Sequence, residues 1–302
     1  MSNLSPIVLF VYNRLDHVKQ TIDALQKNTL ASESKLIIYS DNAKNSSAQK
    51  SVDDVRSFIA TIDGFKSVKI IKRDANLGLA KSIISGVSEV VNKYKRVIVL
   101  EHDLITSSDF LEYMNKGLDF YKNNEDIFSI TGSNYLKQIP EDYDHDLFLF
   151  YRACSWGWAT WEDRWKKVDW QVKNFNSFIK NKNKVALFNR GGDDLSDTLT
   201  AYMKGKIDVW AIRWSYAHFE NNKYCLYPVN SKIENIGFDG SGENCTSESK
   251  FFSAVSKAYN IKFHYDMSLD SQISSEFQKL HKYNLQNKIK QLVKKIVGYY
   301  DI

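Results

Sequence analysis

The sequence has little of what marks fibrous, disulfide-stabilised or membrane-spanning chains. It contains 3 prolines and 13 glycines in 302 residues, which argues against a Pro/Gly-rich linker or stalk. Its 3 cysteines are too few and too scattered for a disulfide framework or a zinc cluster, and they indicate a reducing compartment. No apolar run of about eighteen residues occurs, and the short apolar run at 6–11 fits neither a signal peptide nor a membrane span. We therefore expect a soluble, cytoplasmic protein.

The charge balance is mildly basic and excludes few partners. The 41 lysines and arginines outnumber the 36 aspartates and glutamates, which gives a net charge of +5. This excess suits an anionic small molecule, a membrane surface or a nucleic acid. A nucleic acid is disfavoured, because the excess is small and its densest part is the C-terminal tail. With 43% hydrophobic and 25% charged residues, the composition excludes disorder, collagen and coiled coils.

The first 130 residues alternate short apolar runs with longer amphipathic segments. The apolar runs predict buried strands and the amphipathic segments predict helices. The predicted strands are 7–11, 36–39, 68–71 and 97–100, and the predicted helices are 16–28, 48–62 and 78–93. A strand–helix–strand spacing of about thirty residues is typical of right-handed crossovers in a parallel sheet. The sequence therefore predicts an α/β fold with a mostly parallel sheet.

Before residue 135, Thr106 with Asp109 has the form of a capping box that would begin a further helix. The pattern of the sequence changes after about residue 135. Further on, the sequence predicts a strand at 147–151, a helix at 195–222 and a strand at 224–233. No repeat or low-complexity linker separates the two halves, so we expect them to pack as one unit.

Polar residues follow each of the four predicted N-terminal strands. They are Asn13-Arg14, Ser40-Asp41-Asn42, Lys72-Arg73-Asp74 and Glu101-His102-Asp103. The carboxyl ends of parallel strands line one crevice, which is where open α/β sheets bind ligands. We therefore expect a ligand-binding crevice at this edge, although any one strand can simply end in a polar loop.

The triplet Glu101-His102-Asp103 is the most informative of these groups. Two carboxylates one residue apart, on a turn after a buried strand, can hold a hard divalent cation against a diphosphate. Mg²⁺ and Mn²⁺ take one or two protein carboxylates and fill their other positions with phosphate and water oxygens. Arg14 is then either a diphosphate clamp or the partner in a surface ion pair.

The segment Asn76–Lys81 lies between the third strand and its helix. Gly78 permits close approach of a ligand, the helix N-terminus favours an anion, and Lys81 could reach a phosphate. The alternative is an ordinary helix start with a solvated lysine. No GxGxxG follows the first strand and no GxxxxGK[ST] occurs, so dinucleotide-binding and P-loop folds are poorly supported.

Several segments together carry a resemblance to a known family. They are Pro6–Arg14, Asp41, Asn76–Lys81, Glu101–Asp103, Ser155–Trp158 with Trp161, and Asn235–Gly242. As an ordered set they resemble the GT-A glycosyltransferases, in particular family-2-type bacterial sugar transferases and N-acetylglucosaminyltransferase I. The resemblance covers most of residues 5–245. It implies a GT-A (Rossmann-like) sheet with a nucleotide-sugar-binding half at 1–134, an acceptor-side half at 135–275 and a basic amphipathic helix at 276–302.

The resemblance also implies an activity. The chain would move a sugar from a nucleoside diphosphate donor, a UDP-sugar, to a hydroxyl of a glycan or lipid-linked oligosaccharide, with inversion and with Mn²⁺ or Mg²⁺. Asp103 would bind the metal, and Asp41 would contact the base. The other donor-binding residues would be Tyr12, Asn13, Arg14, Asn76, Gly78, Lys81, Glu101 and His102. The rival functions are a sugar-nucleotide nucleotidyltransferase and a non-catalytic carbohydrate-binding protein.

An inverting transferase needs a general base within reach of the acceptor hydroxyl. We prefer Asp208, because two tryptophans and Arg213 follow it on the expected acceptor side, and Asp194 in the pair Asp193-Asp194 is the second candidate. The alternative for Asp208 is a carboxylate that merely begins a helix. Trp156 and Trp158 are either a stacking platform for the acceptor sugar or core residues.

The C-terminal segment combines apolar and basic residues. At helical spacing it carries Ile289, Leu292, Val293, Ile296 and Val297, with lysines at 279, 282, 288, 290, 294 and 295. A basic amphipathic helix can lie on an anionic bilayer. The sequence therefore predicts either peripheral contact with the inner face of the plasma membrane or a helix packed on the body.

Overall fold

A mixed sheet of eight strands runs through the protein, for which a computed structural model describes residues 4–136, 138–241 and 254–282. Strands β1 to β10 are Ile7–Val11, Lys35–Ser40, Ser67–Lys72, Arg96–Glu101, Leu104–Thr106, Ile127–Thr131, Leu147–Phe150, Trp158–Trp161, Tyr224–Pro228 and Ile233–Asn235. The strand order in the large sheet is β3-β2-β1-β4-β8-β6-β9-β7, and β5 pairs separately with β10.

Helices cover the sheet. Helices α1 to α10 are Leu15–Gln26, Ser46–Ile59, Leu79–Tyr94, Phe110–Phe120, Glu162–Trp165, Phe175–Lys180, Lys182–Phe188, Leu195–Met203, Ala211–Glu220 and Ser271–Leu280. The first three each connect two strands of the parallel group β3-β2-β1-β4. The four predicted N-terminal strands, their helices and the α/β fold with a mostly parallel sheet are confirmed. The burial predicted for the third strand is wrong, because β3 lies at the edge of the sheet and none of its residues is fully buried.

Strand β1 shows why an unbroken apolar run forms the middle of this sheet. Ile7, Leu9 and Val11 pack into a buried cluster that includes side chains of α1, α2 and α4. Val8 and Phe10 point to the opposite face, where they pack with α3 and a group of tryptophans. Because successive side chains of a strand alternate between faces, a strand covered on both sides must be apolar throughout.

The helix predicted at 195–222 is wrong as a single element, because it is interrupted between Met203 and Ala211. Gly205 has a φ of 66° and ends α8. The N–H of Lys206 donates to the carbonyl of Ala201 (2.9 Å), and the N–H of Gly205 donates to Tyr202 (2.9 Å). These two bonds form a Schellman motif, which satisfies carbonyls that the ended helix leaves without partners.

The strand predicted at 224–233 is also wrong as one element. Strand β9 ends at Pro228, and β10 begins at Ile233 in the other sheet. Proline lacks the N–H that would continue a strand ladder, so the chain leaves the large sheet at this point. Strand β10 then pairs antiparallel with β5, Asn235 opposite Leu104. This change of sheet brings the segment after Asn235 next to Asp103.

The capping box predicted for Thr106 and Asp109 is wrong, because the Asp109 carboxylate is used in a buried ion pair. Lys232 is 0% exposed and its ammonium lies 2.6 Å from the carboxylate and 3.9 Å from the centre of the Tyr259 ring. The Ser107 hydroxyl also donates to Asp109 (2.6 Å). Burial would raise the pKa of Asp109, but the bonds from Lys232 and Ser107 hold it below its usual value.

The two halves share buried residues, since Leu9, Trp161, Leu226 and Ile261 belong to one cluster. The predicted boundaries at 134 and 275 remain predictions. The C-terminal helix prediction falls largely on residues 283–302, which lie outside the described residues. Helix α10 contributes buried Ile273 and Phe277. Within the described ranges no helix has the length and apolarity that crossing a bilayer requires.

The buried His218 makes a testable prediction about folding. One ring nitrogen, Nδ1, lies 2.8 Å from the Trp214 carbonyl, and Nε2 lies 2.8 Å from the Ser129 hydroxyl. A neutral ring donates to the carbonyl through Nδ1 and accepts from the hydroxyl at Nε2. Protonation would reverse the second bond and place a positive charge in the core, which is costly. Burial lowers the pKa of His218 to about 4.

We expect the free energy of unfolding to fall as the pH drops from about 6.5 to about 4, since only the unfolded chain takes up the proton in that window. The contribution of His218 is about 3 kcal/mol. Urea unfolding between pH 7 and 4 measures it, and His218→Gln should flatten the pH dependence. His145→Gln, at an imidazole that is 43% exposed, serves as the control. An unchanged slope in His218→Gln would contradict the assignment.

Candidate active site

The polar residues after β1 and β4 meet at one edge of the sheet. These strands are parallel neighbours, so the residues that follow them come together. Arg14 forms an ion pair with Asp103 through Nη2 and donates from Nε to His102 Nε2 at 2.9 Å. The side chains of Arg14 and Asp103 are 15% and 13% exposed, so the pair is largely desolvated but reachable. The predicted convergence of Arg14 and Asp103 is therefore present.

Burial shapes the charge of the other two residues of the triplet. Burial and the nearby charge of Asp103 raise the pKa of Glu101 to about 8, although a hydrogen bond with Trp210 acts in the opposite direction. Burial lowers the pKa of His102 to about 4. A neutral His102 can accept the hydrogen bond from Arg14, so the histidine holds the guanidinium in place without adding charge.

The chain after β10 covers this ion pair. The N–H of Ile236 donates to the Asp103 carbonyl (2.9 Å), and a Cβ on Gly237 would collide with the Asp103 carboxylate. Asp239 accepts from the Ser241 hydroxyl (2.6 Å) and lies 3.1 Å from His17 Nε2. Arg14 Nη1 lies 3.4 Å from the Ser241 hydroxyl. Residues 235–241, which we call the cover segment, thus pack over Arg14 and Asp103. Gly242, the last residue of the segment Asn235–Gly242, lies outside the described residues.

The donor set fits a divalent cation that is shared with a ligand. Asp103 supplies hard carboxylate oxygens, and the missing side chain of Gly237 keeps a cradle beside that carboxylate. Glu101 adds no negative charge at neutral pH, because its pKa is raised to about 8. The described part of the chain contains no group of three or more His, Cys, Asp or Glu residues that could hold a metal. Most ligands of a cation here would therefore have to come from donor phosphates and water.

If the predicted cation and UDP bind here, Gly237→Ala should weaken metal-dependent binding of UDP by about 10-fold or more. The reason is that Asp103, the expected metal ligand, would be moved out of position. The added methyl group would displace the Asp103 carboxylate from the cover segment. Calorimetric titration of UDP with Mn²⁺ measures the effect. Gly205→Ala is the control, because a Cβ there meets nothing within 4 Å, although the φ of Gly205, unlike that of Gly237, is positive. Equal UDP affinity in Gly237→Ala and the unaltered chain would argue against the cradle.

Asp41 fixes the turn that precedes α3. Its buried carboxylate accepts hydrogen bonds from the backbone N–H groups of Leu77 (2.9 Å), Gly78 (3.0 Å) and Asn42 (3.0 Å). The Asn76 amide donates to the Asn42 carbonyl (2.6 Å). The ends of β2 and β3 are thereby joined, and the predicted contact of Asp41 with a base remains a prediction.

The remaining donor-side candidates lie around the same edge. Gly78 has a φ of 73°, and a Cβ there would meet nothing, so its surface is open to a ligand. The Tyr12 hydroxyl accepts from the N–H of Lys44 (3.1 Å). Lys81 is exposed and Asn13 is half-buried. Their contacts with a nucleotide sugar remain predictions.

A pocket of about 160 Å³ opens on the expected acceptor side. Arg152, Trp156, Thr198, Ala211 and Ser215 are among its lining residues, and we call it the inner pocket. The Trp156 ring contacts the ring of Phe238 in the cover segment, with centroids 5.6 Å apart. Through this contact the inner pocket adjoins the site of Arg14 and Asp103.

The prediction that Trp158 stacks on an acceptor sugar is wrong. Trp158 is 0% exposed and packs against Trp165, Trp210 and Trp214, at centroid distances of 5.5 to 5.6 Å. As a residue of β8 it points into the core between the sheet and α9. Trp156 is half-buried, lines the inner pocket and remains a candidate.

The two candidate bases lie at different openings. Asp194 receives two hydrogen bonds from Arg152 (2.8 and 2.9 Å), beside the inner pocket. Burial would raise the pKa of Asp194, but the charge of Arg152 holds it below its usual value. Asp208 is exposed and lines a second, wider cleft together with Arg213.

Sequence reasoning missed Arg152, His17 and the contact between Gly237 and Asp103. Each depends on a partner far away along the chain. The hydrogen bond between Trp210 and Glu101 was missed for the same reason. Gly237, two residues after the end of β10, is the one local signal among these features.

The sequence matches one known protein family over most of its length. Residues 7–210 match the family described as Glycosyl transferase family 2. No curated protein sequence matches the chain. Among solved structures, the mannosyltransferase PcManGT from Pyrobaculum calidifontis, in complex with GDP-Man and Mn²⁺, is 10% identical, with 71% of this chain and 69% of that chain covered and a TM-score of 0.42.

Two structures of S. aureus TarS are similar at the same level. One is 8% identical, covers 78% of this chain and 37% of that chain, and has a TM-score of 0.44. The other, TarS 1–349, is 9% identical, covers 78% and 60%, and has a TM-score of 0.45. At identities of 8 to 10%, the substrates of these proteins cannot be assigned to this chain.

Proposed function

We propose that this chain, which belongs to glycosyl transferase family 2, transfers a sugar from a UDP-sugar to a hydroxyl of a glycan or lipid-linked acceptor, with inversion and with Mn²⁺ or Mg²⁺. The observation that carries the proposal is the Arg14–Asp103 pair at the ends of β1 and β4 under the cover segment. A carbohydrate-binding protein would need no such pair, and family membership disfavours a nucleotidyltransferase.

On the donor side, we assign the diphosphate to Arg14 and the cation to Asp103. A bound divalent cation would neutralise charge on the departing diphosphate. Arg14 already lies against Asp103 and is oriented by His102, so it can donate to a phosphate beside that carboxylate. The cover segment would exclude water from the anomeric carbon, because it closes the site above both residues.

On the acceptor side, the geometry favours Asp194 over Asp208 as the general base. Asp194 lies beside the inner pocket, which adjoins the donor site through Trp156 and Phe238. Its pairing with Arg152 fixes its orientation. The lowered pKa keeps it ionised but also lowers its basicity, so its position beside the inner pocket, and not its pKa, is what favours it. Asp208 faces the wider cleft instead.

A screen of nucleotide sugars tests the proposed function. Purified full-length chain would be incubated with UDP-glucose, UDP-N-acetylglucosamine and GDP-mannose, with Mn²⁺ or with EDTA, and released nucleoside diphosphate measured. We expect slow, metal-dependent hydrolysis of a UDP-sugar. Release that EDTA does not affect, or no release from any nucleotide sugar, would count against the proposal.

We also propose that segment 276–302 contacts anionic membrane surfaces, on the basis of its lysines and apolar residues. Truncation after Lys282 should lower co-sedimentation with phosphatidylserine vesicles several-fold and leave donor hydrolysis unchanged. Neutral phosphatidylcholine vesicles are the control. Undiminished sedimentation of the truncated chain would refute membrane contact through this segment.

A further inference from the structure

The second cleft is a feature that the donor chemistry leaves unexplained. It has a volume of about 730 Å³, and Trp170, Tyr202, Lys206, Asp208 and Arg213 are among the residues that line it. The volume is in the range of pockets for small ligands. Residues 205–208, in the loop between α8 and α9, line this cleft, and Val209 and Ala211, which follow them, line the inner pocket. The two openings therefore lie on either side of one loop.

Arg213 is a cation with few partners. It is only 7% exposed, and its Nη1 donates to the Trp170 carbonyl at 3.0 Å. Its Nε has no hydrogen-bond partner, and the ion pairs found within residues 4–136, 138–241 and 254–282 do not include it. Arg164, which is 4% exposed, instead donates to both oxygens of Asp163.

A nearly buried guanidinium without a carboxylate is costly, since charges withdrawn from water are normally paired. Burial accordingly lowers the pKa of Arg213, against smaller opposing effects of Tyr202 and Asp208. The cost points to a ligand that completes the pairing. Arginine is suited to this role because its planar fork matches a carboxylate or phosphate with two parallel bonds.

The walls around Arg213 suit a sugar. The guanidinium lies 4.5 Å from the ring centre of Tyr202 and 5.7 Å from that of Trp170. Aromatic walls offer flat apolar area beside polar groups, as a sugar ring with its C–H faces and hydroxyls requires. The charged lining groups are Arg213, Lys206 and Asp208, so the cleft carries one net positive charge.

We propose that this cleft binds a saccharide that carries a carboxylate or phosphate group, and that Arg213 binds its anion between Trp170 and Tyr202. Because the loop that lines the cleft also borders the inner pocket, the saccharide is part of the acceptor. In this last respect the inference rests on the proposed function. Lys206 adds attraction at the rim, and Asp208 weakens binding by repulsion.

A titration of the full chain, labelled with ¹⁵N, tests the inference directly. The Arg213 Nε–H resonance, identified by its loss in Arg213→Lys, would be followed with glucuronic acid, glucose 6-phosphate, glucose and inorganic phosphate. We expect at least one acidic sugar to saturate the shift at about 10-fold lower concentration than glucose or inorganic phosphate. The two acidic sugars distinguish a carboxylate site from a phosphate site.

Variants separate recognition from structure. Arg213→Lys and Arg213→Met should remove the preference for acidic over neutral sugar, as seen by calorimetry. If the methionine variant does not fold, two exposed positions keep the test decisive: Lys206→Ala should weaken binding of the acidic sugar about 2- to 5-fold, and Asp208→Asn should strengthen it by a similar factor.

Three results would overturn the inference: glucose binding as tightly as the acidic sugars, inorganic phosphate binding as tightly as glucose 6-phosphate, or a preference that survives loss of Arg213. Binding of UDP with Mn²⁺ is measured on the same samples and should not change in the Arg213 variants. If UDP does not bind even to the unaltered chain while the acidic sugar does, the proposed function fails and the saccharide site stands.

Discussion

Asp103→Asn should lower the metal-dependent turnover of the nucleotide sugar by about 10³-fold, the loss expected when one charged group that stabilises a leaving group is removed. Asparagine keeps the size of the side chain but removes the negative charge that would hold the cation. It also leaves the largely buried Arg14 without its counter-charge. Initial rates of UDP release, with Mn²⁺ at saturating concentration, measure the effect.

The matched control is Asp119→Asn. Asp119 pairs with Arg96 at the start of β4, the opposite end of the strand that leads to Asp103. Both variants therefore remove the carboxylate of an Asp–Arg pair, one beyond the carboxyl end of β4 and the other at its amino end. We expect Asp119→Asn to keep the unaltered rate. If Asp103→Asn retained more than a tenth of it, the assignment of the cation to Asp103 would be untenable.

Asp194→Asn should lower the rate of sugar transfer by about 10²- to 10⁴-fold, the usual contribution of a general base, while UDP still binds. Because Arg152 holds the pKa of Asp194 below its usual value, transfer by the unaltered chain should fall only at pH values below the ordinary carboxylate range. The measurement compares transfer rates with UDP affinity for each variant across the pH range.

Asp208→Asn provides the comparison for this prediction. The Asp208 carboxylate lies in the second cleft, so its loss should affect transfer far less than the loss of Asp194. A large fall in Asp208→Asn with normal transfer in Asp194→Asn would reverse the assignment. Thermal unfolding of both variants checks that Arg152, left without its partner, has not disrupted the fold.

The local sequence pattern was sufficient to predict which strands carry the donor side of the site. Strands β1, β2 and β4 each contain an uninterrupted apolar run, and the parallel order of β1 and β4 then brings Arg14 and Asp103 to the same edge. The GT-A-like family and the α/β fold could be recognised from the same segments. The break at Gly205 was also readable in principle, since glycine followed by lysine after a helical run is a usual helix end.

The acceptor side could not be read in this way, because its contacts join distant parts of the chain. The Asp109 carboxylate pairs with Lys232 and therefore does not form the predicted capping box. Arg152 reaches Asp194. Trp156 precedes β8 and lines the inner pocket, whereas Trp158, two residues later, is the first residue of β8 and is buried. Composition gives no means to distinguish them.

The most direct test measures how UDP shifts the thermal unfolding of the chain, with Mn²⁺ and with EDTA, for the unaltered protein and for Asp103→Asn. If a cation held by Asp103 bridges to the pyrophosphate, UDP raises the unfolding temperature only when Mn²⁺ is present, and only while that carboxylate is intact. Equal stabilisation in EDTA, or an unchanged shift in the variant, would show that the nucleotide is bound by some other means.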